Sequence, residues 1–256
     1  MNILITGAAS GIGYDVGIKL ANLGYHVFLT TEDDKQLELL RERVKSIDNI
    51  GTFRLNLTNK DDIKQLEDFD IDILISNAAI DQGGSILDIQ MDKIRECYDV
   101  NLFYNIDIIK QTINNMAKKK KGKIIVISSM LANISLPFFG IYASSKAALS
   151  SLSISLKKEL KLINKNIKIK IVEPGIYKTG FNRFMIDNSK TEKYYLFNKS
   201  VYELEKEILN FAGKEKLDSI SRKIIEAVKD DSNKTIYRAP LSHNLLIKLY
   251  IKLFKK

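Results

Sequence analysis

The sequence predicts an α/β fold in a single domain: a doubly wound parallel sheet of about seven strands, with helices on both faces. Three observations predict it. Short apolar runs alternate with helical patterns along the chain. The runs are continuous rather than alternating, as parallel strands covered on both faces require. A glycine-rich turn follows the first run directly. At 256 residues, 45% of them hydrophobic, the chain can bury a large core, and no repeat or flexible linker divides it.

The expected strands are Asn2–Thr6, His26–Thr30, Thr52–Leu55, Ile71–Ser76, Lys123–Ser128, Ile167–Glu173 and Thr235–Arg238. Helical patterns fall near 12–23, 34–47, 60–68, 88–118 and 138–163. Such alternation implies right-handed crossovers between parallel strands. Pro137 precedes the fifth helix, Pro174 ends a strand and Pro240 precedes a last helix. Residues 178–231 read as a helical excursion between the last two strands.

Composition excludes several classes. The one cysteine, Cys97, rules out an internal disulfide and suits a reducing, cytoplasmic compartment. "MNILITG" enters an apolar strand without a basic leader region, so no signal peptide is expected. The uncharged run from Ile124 to Ser145 holds five serines with Asn133, Pro137 and Gly140, which suits strand, loop and helix start rather than a membrane span. A net charge of +9 raises anionic partners. No recognition helix, aromatic-basic interleaving or zinc-ligand spacing accompanies it, so neither nucleic acid nor metal is expected. The lysines of "KKKKGK", Lys118–Lys123, fall in a helix-to-strand loop, and His26 and His243 lie too far apart in sequence to suggest a metal site.

The turn after the first strand reads "TGAASGIG", Thr6–Gly13. Glycine permits a tight turn and close backbone approach, and the helix that begins there aims free amides and its positive dipole end at the loop. Gly7, Ser10, Gly11, Ile12 and Gly13 are therefore candidates to cradle a pyrophosphate, as in a dinucleotide-binding Rossmann fold. The second strand ends in Thr31 and Glu32. A carboxylate there accepts hydrogen bonds from a ribose 2′-hydroxyl and repels a 2′-phosphate. With no arginine or lysine in the loop or beside Glu32, NAD is expected over NADP.

In "FGIYASSKAALS", residues 139–150, Tyr142 stands four residues before Lys146, on one helix face. A phenol ionises near ~10, so acting as a base near neutrality needs a shift of about 3 units, roughly 4 kcal/mol. A cation about 4 Å away supplies about that much at an effective dielectric of ~20. Lys146 is thus expected to lower the phenol's pKa and make Tyr142 an acid/base catalyst.

With both features in place, the chain resembles the short-chain dehydrogenase/reductase family in its single-domain form. The resemblance runs in order through "TGAASGIG", "LISNAA" (74–79), "DVNLF" (99–103), "VISSM" (126–130), "YASSK" (142–146) and "EPGIYKT" (173–179). It implies hydride transfer between a nicotinamide and the carbon of a secondary alcohol or ketone. It further implies Tyr142 as acid/base, Lys146 as its partner and a ligand of the nicotinamide ribose, and Ser129 as the serine orienting the substrate oxygen. Strand alternation turns Ser128 the other way. Asn101 matches the asparagine that helps hold a proton-relay water. For the cofactor, the resemblance implies Asn56 and Leu57 near the adenine and Asn77 and Ala78 beside the adenosine ribose. Pro174, Gly175, Ile176 and Thr179 match the segment orienting the carboxamide. Ser76 and Ala79 depart from the family's usual asparagine and glycine. A homodimer or homotetramer through helices 88–118 and 138–163 is also implied.

The resemblance implies a substrate lid over residues 180–216, whose Phe181, Phe184, Tyr194, Tyr195, Phe197 and Tyr202 either line an apolar pocket for a bulky apolar or amphipathic substrate or pack the excursion onto the body. The tail carries five Lys/Arg and no acid over 238–256, and 241–254 reads as a basic amphipathic helix too short to span a bilayer. Peripheral membrane contact, packing over the substrate site and a subunit contact are all open for it. The alternative to an enzyme is a cofactor-binding regulatory or membrane-associated scaffold that keeps the fold without turnover.

Overall fold

The computed structural model describes residues 1–163, 166–179 and 216–245, with Glu207, Asn210, Gly213 and Lys214. The strands are β1 (Asn2–Ile5), β2 (His26–Thr31), β3 (Ile50–Arg54), β4 (Ile73–Ser76), β5 (Gly122–Ile127), β6 (Ile167–Pro174) and β7 (Ile236–Ala239). All pair in parallel, in the order β3-β2-β1-β4-β5-β6-β7. The helices are α1 (Gly11–Asn22), α2 (Asp34–Val44), α3 (Lys60–Lys64), α4 (Met91–Tyr98), α5 (Asn105–Lys118), α6 (Gly140–Ile163) and α7 (Asp218–Lys229). This is the doubly wound sheet expected, in a single domain.

The period of two along each strand divides the core between two layers. Ile3, Ile5, Ile73, Ile75, Ile125 and Ile127 face α1 and α7 with Val16, Leu20, Ile220 and Ile224. Leu4, Leu74, Ile124 and Val126 face the other way, against Ile108 and Ile109 of α5 and Leu149 and Leu160 of α6. Because both faces are covered, every second residue is apolar on each side and the runs look continuous in sequence.

Three expected elements differ in detail. The pattern over 88–118 is two helices joined by a π-helical turn, Asp99–Tyr104. The helix at 60–68 tightens into a 3₁₀ turn at Gln65–Asp68. The excursion at 178–231 does not hold as one unit, since α7 is a layer helix: Ile220, Ile224, Ala227 and Val228 recur at one-turn spacing and are buried on the sheet. The lid proper and the tail after residue 245 lie outside the described residues. No helix among the described residues is long and apolar enough to cross a membrane.

The sheet turns at β1, from which β2 and β4 depart on opposite sides. Crossovers run in opposite directions from this point, and the crevice between the strand ends opens there. Ile125, fully buried in the central strand layer, tests the packing. Ile125→Ala should cost about 2–5 kcal/mol in urea denaturation followed by circular dichroism; a loss under ~1 kcal/mol would contradict close packing.

Candidate active site

The crevice is a cavity of about 610 Å³. Its floor is set where β1 and β4 end. Gly7 has φ +63°, and a Cβ there would lie 2.8 Å from Ala78 Cα. Thr6 Oγ1 accepts hydrogen bonds from the N–H groups of Asn77 and Ala78, both at 2.9 Å. Asn77 Nδ2 donates to the carbonyls of Thr6 and Gly7. Gly13 does not line the cavity; a Cβ there would meet Asn77 Nδ2 at 2.7 Å and Gly7 O at 2.8 Å. Its part in the cradle is packing α1 onto the turn. Gly7, Ser10, Gly11 and Ile12 line the cavity itself. Ser10 caps α1 without a side-chain bond, so the helix's first amides are not taken by their own cap.

At the far end stand Glu32, Gln36, Asn56, Leu57 and Thr58. Thr31 is buried and donates to the Asp33 carbonyl, outside the cavity. Asn56 Oδ1 accepts from Thr58 N and Oγ1, which leaves its amide nitrogen as the group to offer. Sequence proximity put no cation at the glycine loop, but the fold does. Arg43, from the last turn of α2, lies 3.7 Å over the Tyr14 ring and donates to the Ala9 carbonyl at 2.9 Å. It pairs with no carboxylate among the described residues.

On the other wall, Ser129 and Tyr142 face the cavity and their hydroxyls are hydrogen-bonded. Ser128 also lines the cavity, and its hydroxyl bonds the Lys146 carbonyl and Ser150 Oγ. Lys146 is 2% exposed; its Nζ donates to the Ile127 carbonyl at 3.2 Å and lies 5.9 Å from the centre of the Tyr142 ring. The expected lowering of the phenol is not what this geometry gives. Burial pushes the Tyr142 pKa up, the Asp81 carboxylate adds to the rise, and the Ser129 bond only partly opposes it. The residue as a whole is half-buried and lines the cavity, and desolvation is the largest influence on its hydroxyl. Burial also pulls Lys146 down to about 8.

Asn101 does not line the cavity. It sits in the π-helical turn, accepts from Ile80 N at 2.8 Å, and donates to Ile80 O and Ser145 Oγ. It ties the strand end to α6. Asn105, unnoticed in sequence, does the same for Ala78 by donating to its carbonyl, and it bonds Ser76 Oγ. Ser76 thus has a buried partner where the family's usual residue is missing.

Pro174, Gly175, Ile176 and Thr179 form the remaining wall, with His243 beside them. Both peptide groups of Ile176 are engaged: its N–H donates to His243 Nδ1 at 3.2 Å and its carbonyl accepts from Lys214 N at 3.0 Å. Sequence reasoning weighed His243 only as a metal ligand. Among the described residues no group of three or more His, Cys, Asp or Glu is placed to hold a metal.

The model of the short chain dehydrogenase family matches residues 1–190. The chain belongs to this family. It is an oxidoreductase. A 3-amino-tetrahydro-pyrrolizinone reductase from Xenorhabdus hominickii is 29% identical over 220 residues, 80% of this chain and 74% of that protein. A 3-ketodihydrosphingosine reductase from Bacteroides thetaiotaomicron is 30% identical over 87% of this chain and 82% of its own. Among family structures, one from Burkholderia phymatum in complex with NAD superimposes with a TM-score of 0.83 at 20% identity, over 98% of this chain and 92% of the other. One from Burkholderia cenocepacia in complex with NADP gives 0.75 at 17%, over 99% and 93%.

Folding moves the Lys146 pKa from 10.5 down to about 8. The unfolded chain therefore binds the extra proton between those values, and this group makes the native state more stable as pH rises through them. Lys146→Met should remove that rise. Denaturation at pH 8 and pH 10 should show the native protein gaining on the variant by on the order of 2 kcal/mol; a constant difference would contradict the buried lysine.

Proposed function

We propose that this oxidoreductase transfers a hydride between NAD(P) and the carbon of a secondary alcohol or ketone, with Tyr142 exchanging the proton. The observation that carries the proposal is convergence: Ser129, Tyr142 and Lys146 share one cavity with the glycine turn. The residues present fit a dinucleotide, because Gly7 keeps open a floor that a Cβ would strain and the amide of Asn56 and the carboxylate of Glu32 stand at the far end. A bound nicotinamide would supply the hydride or accept it. The chain's own groups handle the proton and the substrate oxygen. Ser129 orients that oxygen; Tyr142 holds a proton on its hydroxyl and passes it to the oxygen as the carbon gains hydride. Below about pH 8 Lys146 is a cation that stabilises the phenolate left behind. Burial keeps the proton on the Tyr142 hydroxyl in the resting site.

Met130, Leu131, Ile134, Leu136 and Phe139 make the wall near Tyr142 apolar, which supports a bulky apolar substrate. The aromatic residues expected to add to it lie outside the described residues. Exposed Met91 and Phe103 in the α4–α5 region and Leu152 on α6 support assembly through those helices. A cytoplasmic location with peripheral membrane contact through 241–254 belongs to the same proposal, supported by the tail's basic and apolar sequence.

Tyr142→Phe should lower kcat by about 10²–10⁴-fold in a ketone panel followed at the NADH absorbance, with cofactor binding nearly unchanged. Robust turnover by that variant would remove Tyr142 from the chemistry. Glu32 at the ribose end favours NADH, by about tenfold or about 1.4 kcal/mol. Fluorescence titrations with both reduced cofactors read this directly, and tighter NADPH binding would assign the deciding charge to Arg43 instead.

A further inference from the structure

After β6 the chain leaves the sheet, and residues 175–179 must be held by something else. Gly175 N–H donates to the Ala239 carbonyl at 2.7 Å, and Lys178 N–H donates to the Lys214 carbonyl at 2.9 Å. Between them the Ile176 N–H is taken by a side chain, His243 Nδ1. His243 lies on a helical turn over 241–245, in which Asn244 N–H donates to the Pro240 carbonyl. Its neighbours Leu241 and Leu245 are 75% and 69% exposed, while His243 is 8% exposed and lines the cavity. The fit is close, since a Cβ on Gly175 would stand 2.3 Å from Nδ1. An Nδ1 that accepts from a peptide N–H carries its proton on Nε2, so the ring is neutral.

We propose that His243 is a positioning residue for the nicotinamide end of the cavity. It acts through Ile176: by fixing that peptide it holds the 174–179 wall against the glycine loop, where a Cβ on Gly11 would stand 3.6 Å from the Thr179 side chain. The wall that meets the reactive ring is therefore completed by a residue from the C-terminal segment, far from every motif in the chain. This rests on the dinucleotide reading of the site.

The test compares NADH with ADP-ribose, which shares every part of the cofactor except the nicotinamide. His243→Leu should raise the Kd for NADH about tenfold and leave ADP-ribose binding within twofold. His243→Asn places an acceptor oxygen where Nδ1 stands and should restore NADH binding to within about threefold of the native value. Equal losses for both ligands would mark a general folding role and overturn the proposal, as would unchanged NADH binding in His243→Leu. An Asn variant as weak as the Leu variant, with native circular dichroism, would overturn the hydrogen-bond basis. If the native protein binds neither NADH nor NADPH, the dinucleotide reading itself fails, an outcome distinct from a normal native titration with an unaffected variant.

Discussion

One buried hydroxyl holds the site open. Thr6 Oγ1 offers two lone pairs and gives both to the N–H groups of Asn77 and Ala78, at the point where β1 and β4 end side by side. Those two donors would otherwise be stranded at a partly buried strand end, where an unmade hydrogen bond costs about 1–3 kcal/mol. With them satisfied, the chain after β4 turns across the floor, and Gly7 can approach Ala78 more closely than any residue with a Cβ. The other side of that floor is held from the helical layer, by Asn105 on Ala78 and Asn101 on Ile80. The glycines of the first turn thus serve two ends: Gly7 and Gly11 shape the cavity, and Gly13 lets α1 sit against Asn77.

Charge and burial compete at the catalytic wall, and burial prevails. Spacing of four residues puts Tyr142 and Lys146 on one face of α6, but it does not set the distance between their polar ends. Lys146 reaches the Ile127 carbonyl, with its Nζ 5.9 Å from the centre of the Tyr142 ring. Both groups lose solvent, which favours the neutral form of each: the phenol rises and the ammonium falls to about 8. A pair that seemed from its spacing to make a ready base is held as a protonated phenol beside an easily deprotonated lysine.

Departures from the family's motifs are absorbed by neighbours. Ser76 is smaller than the usual asparagine, and Asn105 from α5 bonds its hydroxyl. The two surrounding asparagines carry seven hydrogen bonds to strand ends and helix turns between them. In a low-dielectric interior such a network is strong when complete and costly when broken. The changed residue at position 76 thus has its hydrogen-bond partner on the helix side.

From the sequence alone came the strand–helix alternation, the glycine cradle and the tyrosine–lysine pair, because each rests on local spacing: a period of two or 3.6, a turn directly after a strand, a pair one helical turn apart; Ser129 came from the family resemblance. The tertiary structure decided what depends on residues distant in the chain. It brought Arg43 of α2 to the Ala9 carbonyl, seated His243 against Ile176, drew Gly13, Thr31 and Asn101 out of the cavity lining, and made α7 a layer helix. It also set the protonation tendency of Tyr142. Desolvation and long-range contact follow from how layers close around a side chain, and no spacing along a single segment carries that information.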